Sequence, residues 1–181
     1  MNLYLLGYMA SGKTTFGRAL SLQNGLRFID LDHYIEESEG KTVSEIFRER
    51  GESGFREIER KSLKALSELQ GVVIACGGGT PCFFDNIDIM NATGHTVFLE
   101  ASPSVLISRL EAENESRPLV AGKSRQEIEA IVKKQLSART PFYSRAKIRW
   151  NSDHLESVEE IKESIENFKK NYPFVFSTPF L

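Results

Sequence analysis

Cysteine is scarce in this 181-residue chain: only Cys76 and Cys82 are present, too few for a disulfide framework. Their six-residue separation also misses the paired C-x-x-C spacing of a zinc site, so two reduced thiols are expected. No apolar run approaches the roughly 20 residues that cross a bilayer, and the opening residues MNLYLLGYM lack the basic stretch and small-residue cleavage site of a secretory signal. A cytoplasmic chain with no membrane partner is expected. Charge of one sign is missing too: 23 Lys and Arg stand against 25 Asp and Glu, a net charge of −2, without the basic excess that a nucleic-acid backbone attracts. Nucleic acid is therefore not expected as a partner. Internal repeats and low-complexity segments are also absent. What remains is one domain's length of sequence, 40% hydrophobic, enough to bury a real core. Of its basic residues 12 are arginines, the side chain suited to bidentate recognition of phosphate and carboxylate, so their placement matters more than their sum.

Hydrophobic patterning predicts strands over 2–6, 27–32, 72–76, 95–100 and 146–150. Helical patterns fall over 13–23, 32–39, 42–50, 52–69, 103–113, 124–138 and 155–170, with Ser102-Pro103 and Ser124 as start signals. Alternation of strand and helix implies an α/β fold on a parallel sheet, with ligands at the carboxyl ends of the strands. The polar segment 113–123, holding Pro118 and Gly122 between two helices, reads as an exposed lid or a plain connector. Residues 1–170 are thus expected to form one domain. The tail 171–181, NYPFVFSTPFL, has two prolines and four aromatics and is expected to pack on the surface, not as helix.

The octet Gly7-Tyr8-Met9-Ala10-Ser11-Gly12-Lys13-Thr14 is a full G-x-x-x-x-G-K-[ST] match, set between a predicted strand and a predicted helix. Glycines there let the backbone wrap an anion, so that successive N–H groups and the helix N-terminus face phosphates. Lys13 would reach the β- and γ-phosphates, and the Thr14 hydroxyl would ligate Mg²⁺. Such a loop specifies a nucleotide but leaves the reaction open.

Asp30 and Asp32 close the run RFIDLD, and residues two apart in an extended segment point the same way, so both carboxylates can face one cavity. One could bind Mg²⁺ through water; the other could hold an acceptor hydroxyl and take its proton. An Asp at a strand end also caps helices, which leaves the role of Asp32 open on this pattern alone. After the third strand stands Gly77-Gly78-Gly79, more glycine than a tight turn needs, which implies close approach of a ligand to the main chain. Arg56, Arg117 and Arg139 are the candidate anion contacts.

Taken together, these blocks resemble shikimate kinase, over about residues 2–165: GYMASGKTTFGRAL, FIDLD with His33-Tyr34-Ile35-Glu36, GFREIE at 54–59, CGGG at 76–79, Arg117-Pro118-Leu119, and ARTPFY at 138–143. The resemblance implies a three-layer, nucleoside-monophosphate-kinase-like P-loop fold: a five-stranded parallel sheet flanked by helices, with a mobile lid. It implies transfer of phosphate from MgATP to shikimate, giving shikimate 3-phosphate and ADP, on the route to chorismate and the aromatic amino acids. By the same resemblance Ala10, Ser11, Gly12, Lys13, Thr14 and Thr15 wrap the phosphates, Thr14 holds Mg²⁺, and Asp30 sits in its outer shell. Asp32 is the base candidate; Arg56 and Arg139 grip the shikimate carboxylate; Gly77, Gly78 and Gly79 line the substrate side, with the Gly78 amide on a ring hydroxyl. Arg117 matches a lid arginine that closes on the transferring phosphate, and Arg109 an adenine-stacking position. No contact is assigned in the loop 151–154, and His33 reads as a surface residue of the helix that follows the Asp pair. A monomer is expected.

Two alternatives stand beside this. Another compact P-loop kinase, for gluconate or a nucleotide, would share the loop; a nucleotide acceptor, however, would need a base pocket where this sequence offers arginines, aspartates and glycines. A nucleotide-driven switch or ATPase would need a hydrolytic acidic residue after an apolar strand, and only Glu100 fits.

Overall fold

The computed structural model describes residues 1–113 and 119–176. Five parallel strands form one sheet in the order β2-β3-β1-β4-β5: β1 (Asn2–Leu6), β2 (Arg27–Asp30), β3 (Val72–Ala75), β4 (Gly94–Glu100) and β5 (Ile148–Asn151). Parallel neighbours require crossovers, and the helices that make them cover both faces. β1 is apolar throughout because it is central and buried on both sides. Its alternation divides the core: Leu3 and Leu5 meet Phe16, Leu20, Val97 and Phe168, whereas Tyr4 and Leu6 meet Ile29, Ile35, Leu63 and Ile74.

The first face carries α1 (Lys13–Asn24) and α7 (Val158–Asn171); the second carries α2 (Leu31–Glu39), α3 (Val43–Ser67) and α4 (Asn86–Thr93). The chain leaving β1 passes over one face to β2, and the chain leaving β3 passes over the other to β4. Their departures in opposite directions open a crevice at the carboxyl ends of β1 and β3, the place where such sheets bind ligands. A third cluster, Tyr8, Phe98, Leu110, Val120, Ile128, Val132 and Tyr143, joins α5 (Pro103–Ala112) and α6 (Arg125–Tyr143) beside that crevice. Among the described residues no helix is long and apolar enough to cross a membrane.

The expected α/β architecture and all five strands are present, with differences that have local causes. β2 stops at Asp30, whose carboxylate accepts the Asp32 N–H as the N-cap of α2, so Asp32 lies in the first helical turn and not at a strand end. The helices expected at 42–50 and 52–69 are the two arms of α3, which kinks at Gly51, where φ is 67° and ψ −175°. α6 runs on past 138 to Tyr143, carrying Pro141 inside it. α4 has no counterpart among the expected helices. In the tail, Pro173–Phe176 form a 3-10 turn whose Val175 is buried and whose Phe176 packs on the first face. Positions 177–181 lie outside the described residues, as do 114–118 of the expected lid.

Candidate active site

The loop after β1 is shaped by backbone that side chains would obstruct. Gly7 (φ 145°) has no room for a Cβ, which would stand 2.6 Å from the Leu99 carbonyl oxygen. Gly12 (φ 88°) is the N-cap of α1, and a Cβ there would meet Leu155 Cδ1 at 2.6 Å. Ala10 takes a positive φ of 60° without glycine's freedom, a strained choice in a loop that must expose its amides. Lys13 Nζ folds back to donate to the carbonyls of Gly7 (2.9 Å) and Tyr8 (2.7 Å).

Two cavities meet at the crevice. The first, about 340 Å³, is walled by Ala10, Gly12, Lys13, Thr14, Thr15, Asp30, Asp32, Gly77, Gly78 and Arg109 among others. The second, about 710 Å³, is walled by Asp32, Arg56, Gly77, Gly78, Gly79 and Arg139, with apolar surface from Val43, Phe47, Phe55 and Leu119. Met9, Asp32, Gly77 and Gly78 belong to both. Every site residue read from the sequence therefore lines one cavity or the other, with two exceptions. Ser11 is buried beneath the loop, its N–H donating to the Tyr8 carbonyl at 3.2 Å, and Arg117 falls outside the described residues.

At the junction, Thr14 Oγ1 donates to Asp30 Oδ2 at 3.1 Å while Asp30 Oδ1 accepts from the Asp32 amide at 3.2 Å. The two aspartates thus come together through a helix cap, not through strand alternation. Asp32 is raised to about 6: enclosure disfavours its charge most, the Asp30 and Glu59 carboxylates add to this, and Lys13 and Arg56 oppose it. Such a carboxylate is ionised at neutral pH, yet is a stronger base than an exposed aspartate.

The glycine triplet has three different neighbours. A Cβ on Gly77 would stand 3.0 Å from Asp32 Oδ1, one on Gly78 3.3 Å from Arg139 Nη1, and one on Gly79 2.6 Å from Arg56 Nη2. Arg56, 8% exposed, donates to Glu59 Oε2 (2.9 Å) and Glu52 Oε1 (3.3 Å). Arg139 lies over the Tyr8 ring at 5.6 Å, and one turn away on either side of it α6 supplies Gln135, which accepts from the Tyr8 hydroxyl (3.0 Å), and Tyr143, which donates to the Gly78 carbonyl (2.5 Å). Arg109 donates to Glu156 Oε1 and to the carbonyls of Ala10, Ser152 and Asp153, tying the phosphate loop to the loop after β5.

Sequence reasoning missed Glu59, Thr80, Gln135, Tyr143 and Leu155. Glu59 and Tyr143 lie within the blocks GFREIE and ARTPFY; nothing at Thr80, Gln135 or Leu155 marks them before the fold is known.

Comparison with known proteins agrees with this geometry. The family model described as shikimate kinase matches residues 9–169. A shikimate kinase of Phocaeicola vulgatus is 48% identical over 168 residues, 93% of this chain and 96% of that one. The crystal structure of shikimate kinase from Bacteroides thetaiotaomicron superposes with a TM-score of 0.89 at 43% identity, covering 96% of this chain and 98% of that one. Shikimate kinase from Acinetobacter baumannii, solved in complex with shikimate, gives a TM-score of 0.82 at 29% identity over 96% and 93% of the two chains. With the phosphate loop, the aspartate pair and the arginine-lined cavity converging on one crevice, the chain belongs to the shikimate kinase family.

Proposed function

We propose that this chain transfers the γ-phosphate of ATP to the 3-hydroxyl of shikimate, releasing shikimate 3-phosphate and ADP in aromatic amino acid biosynthesis. The observation that carries it is the shared wall of the two cavities at Met9, Asp32, Gly77 and Gly78, where a phosphoryl group can pass directly from one occupant to the other. ATP would occupy the first cavity, its phosphates wrapped by Ala10 to Thr15, with Lys13 exchanging two neutral carbonyls for phosphate oxygens and Arg109 beside the base. Shikimate would occupy the second, its carboxylate between Arg56 and Arg139 and its hydroxyls toward Asp32 and the Gly78 amide. A small acid with a carboxylate at one end and hydroxyls at the other suits that polarity.

The acceptor oxygen would attack the γ-phosphorus in line with the departing β–γ bridging oxygen, and its proton would pass to Asp32. In a loose phosphoryl transfer that proton leaves late, so positioning of the oxygen matters as much as basicity. Thr14 and Asp30 present only hard oxygen donors, which suit Mg²⁺ better than a softer metal: Thr14 would bind it directly and Asp30 through a hydration water. When bound with the nucleotide, the ion neutralises charge on the phosphate oxygens. Arg117 would close on the transferring group from the lid. Residues 1–170 would act as one kinase domain, followed by an aromatic tail at 171–181, in a cytoplasmic monomer.

Product analysis tests this. Phosphorus NMR of protein, ATP, Mg²⁺ and shikimate should show one new phosphomonoester for each ADP formed; inorganic phosphate in its place would mean hydrolysis and overturn the assignment.

A further inference from the structure

The segment after the glycine triplet meets α3 at Arg56, Glu59 and Arg60. Thr80 Oγ1 donates to Glu59 Oε1 at 2.6 Å, and the other oxygen of that fully buried carboxylate accepts from Arg56 at 2.9 Å. One turn on, Arg60 donates to Asp85 Oδ1 (2.8 Å) and its guanidinium stands 5.2 Å from the Phe84 ring. Between these pairs, the half-buried Phe83 sets its ring centroid 4.1 Å from Arg56 Cζ, nearer than Phe55 at 5.1 Å or Phe47 at 6.0 Å. The next residue is strained: Phe84, a non-glycine residue, takes φ 52° and is 57% exposed. That left-handed step lets Phe83 turn inward while the chain still enters α4.

Arg56 has need of such a seat. Its Nε is buried and has no hydrogen-bond partner among the described residues, and its two carboxylate partners bond only through the terminal nitrogens. Hydrogen bonds from Nη1 and Nη2 to two different carboxylates hold those nitrogens, while the Nε side of the guanidinium plane has none among the described residues. The Gly79 backbone, too close to admit a Cβ, and the Phe83 ring restrict the tilt of that plane. A ring face also attracts the cation without consuming any of its N–H donors, which leaves them for a carboxylate.

We infer that Phe83 is a positioning residue for the acceptor site, holding the Arg56 guanidinium in the plane that meets the carboxylate of shikimate. The inference rests on the assignment of Arg56 as a carboxylate clamp. Phe83→Leu keeps an apolar side chain and removes the ring face; it should raise the shikimate KM roughly 5- to 30-fold. The kcat and the ATP KM should stay within about twofold, a split that a general loosening of the fold would not produce. Phe83→Tyr, which restores the ring, should return the shikimate KM to within about twofold of the parent. Arg56→Lys keeps a cation opposite Glu59 but removes the plane; it should raise the shikimate KM by itself and make Phe83→Leu nearly silent when the two are combined. If Arg56→Lys raises that KM and Phe83→Leu alone does not, or if the two effects multiply, the positioning role is overturned and the clamp stands. If Arg56→Lys leaves it unchanged, the clamp itself falls and the inference with it.

Discussion

Asp32→Asn should lower kcat by roughly 10²- to 10⁴-fold, the usual range for loss of a positioned acid–base group, with the fold intact. Asparagine keeps the shape and can still hydrogen-bond the acceptor hydroxyl, but it cannot take the proton. With Asp32 raised to about 6 by enclosure, Asp30 and Glu59, the parent kcat/KM should fall about tenfold for each pH unit below that value. The variant should lack this acid limb, and an unchanged kcat would remove Asp32 as the base. Stability should move the opposite way. A carboxyl whose folded value lies above its unfolded one binds its proton more tightly in the native state, so its contribution is full below pH ~4 and is lost as pH rises to about 6. At neutral pH the native protein carries that penalty, on the order of 3 kcal/mol, and Asp32→Asn should relieve it, read as a higher denaturation midpoint.

Arg139→Ala should raise the shikimate KM by roughly 30- to 1000-fold, the effect of removing a charge-assisted partner from an enclosed carboxylate. ATP affinity measured without shikimate should change by no more than about twofold, because Arg139 lines only the second cavity. Arg139 is a cleaner probe than Arg56. Its guanidinium rests on the Tyr8 ring, whereas truncating Arg56 would leave the fully buried Glu59 carboxylate with only the Thr80 hydroxyl among the described residues. Stranding a buried charge costs about 3–5 kcal/mol and would confuse binding with folding. A collapse of ATP affinity in well-folded Arg139→Ala would refute the assigned clamp.

The parts legible in the sequence are those where chemistry dictates residue type at fixed spacing. The phosphate loop needs glycine at positions 7 and 12 because a Cβ would strike Leu99 O and Leu155, and it needs Lys13 and Thr14 at the start of a helix. At the triplet 77–79 a Cβ would press on a different functional side chain at each position: Asp32 at 3.0 Å, Arg139 at 3.3 Å and Arg56 at 2.6 Å. Local signals mislead where a cap intervenes: RFIDLD reads as strand to its last residue, yet the Asp30 carboxylate caps a helix that begins at Leu31, so the strand ends two residues early. α4 escapes because eight residues, Asn86–Thr93, present alternating Ile-Asp-Ile and only Ile87 and Met90 as the apolar helical stripe. The supports of the site, Glu59 beneath Arg56, Gln135 and Tyr143 around Arg139, and Phe83 on Arg56, are ordinary residues whose partners lie on other elements. Their roles exist only once the strand order has brought β1, β3 and α6 together.

The central claim, transfer to shikimate and not hydrolysis, is tested most directly by ADP release with purified protein, MgATP and a panel of acceptors. Turnover should be rapid with shikimate and near background with gluconate, nucleoside monophosphates or no acceptor. Equal ADP release with and without shikimate would contradict it.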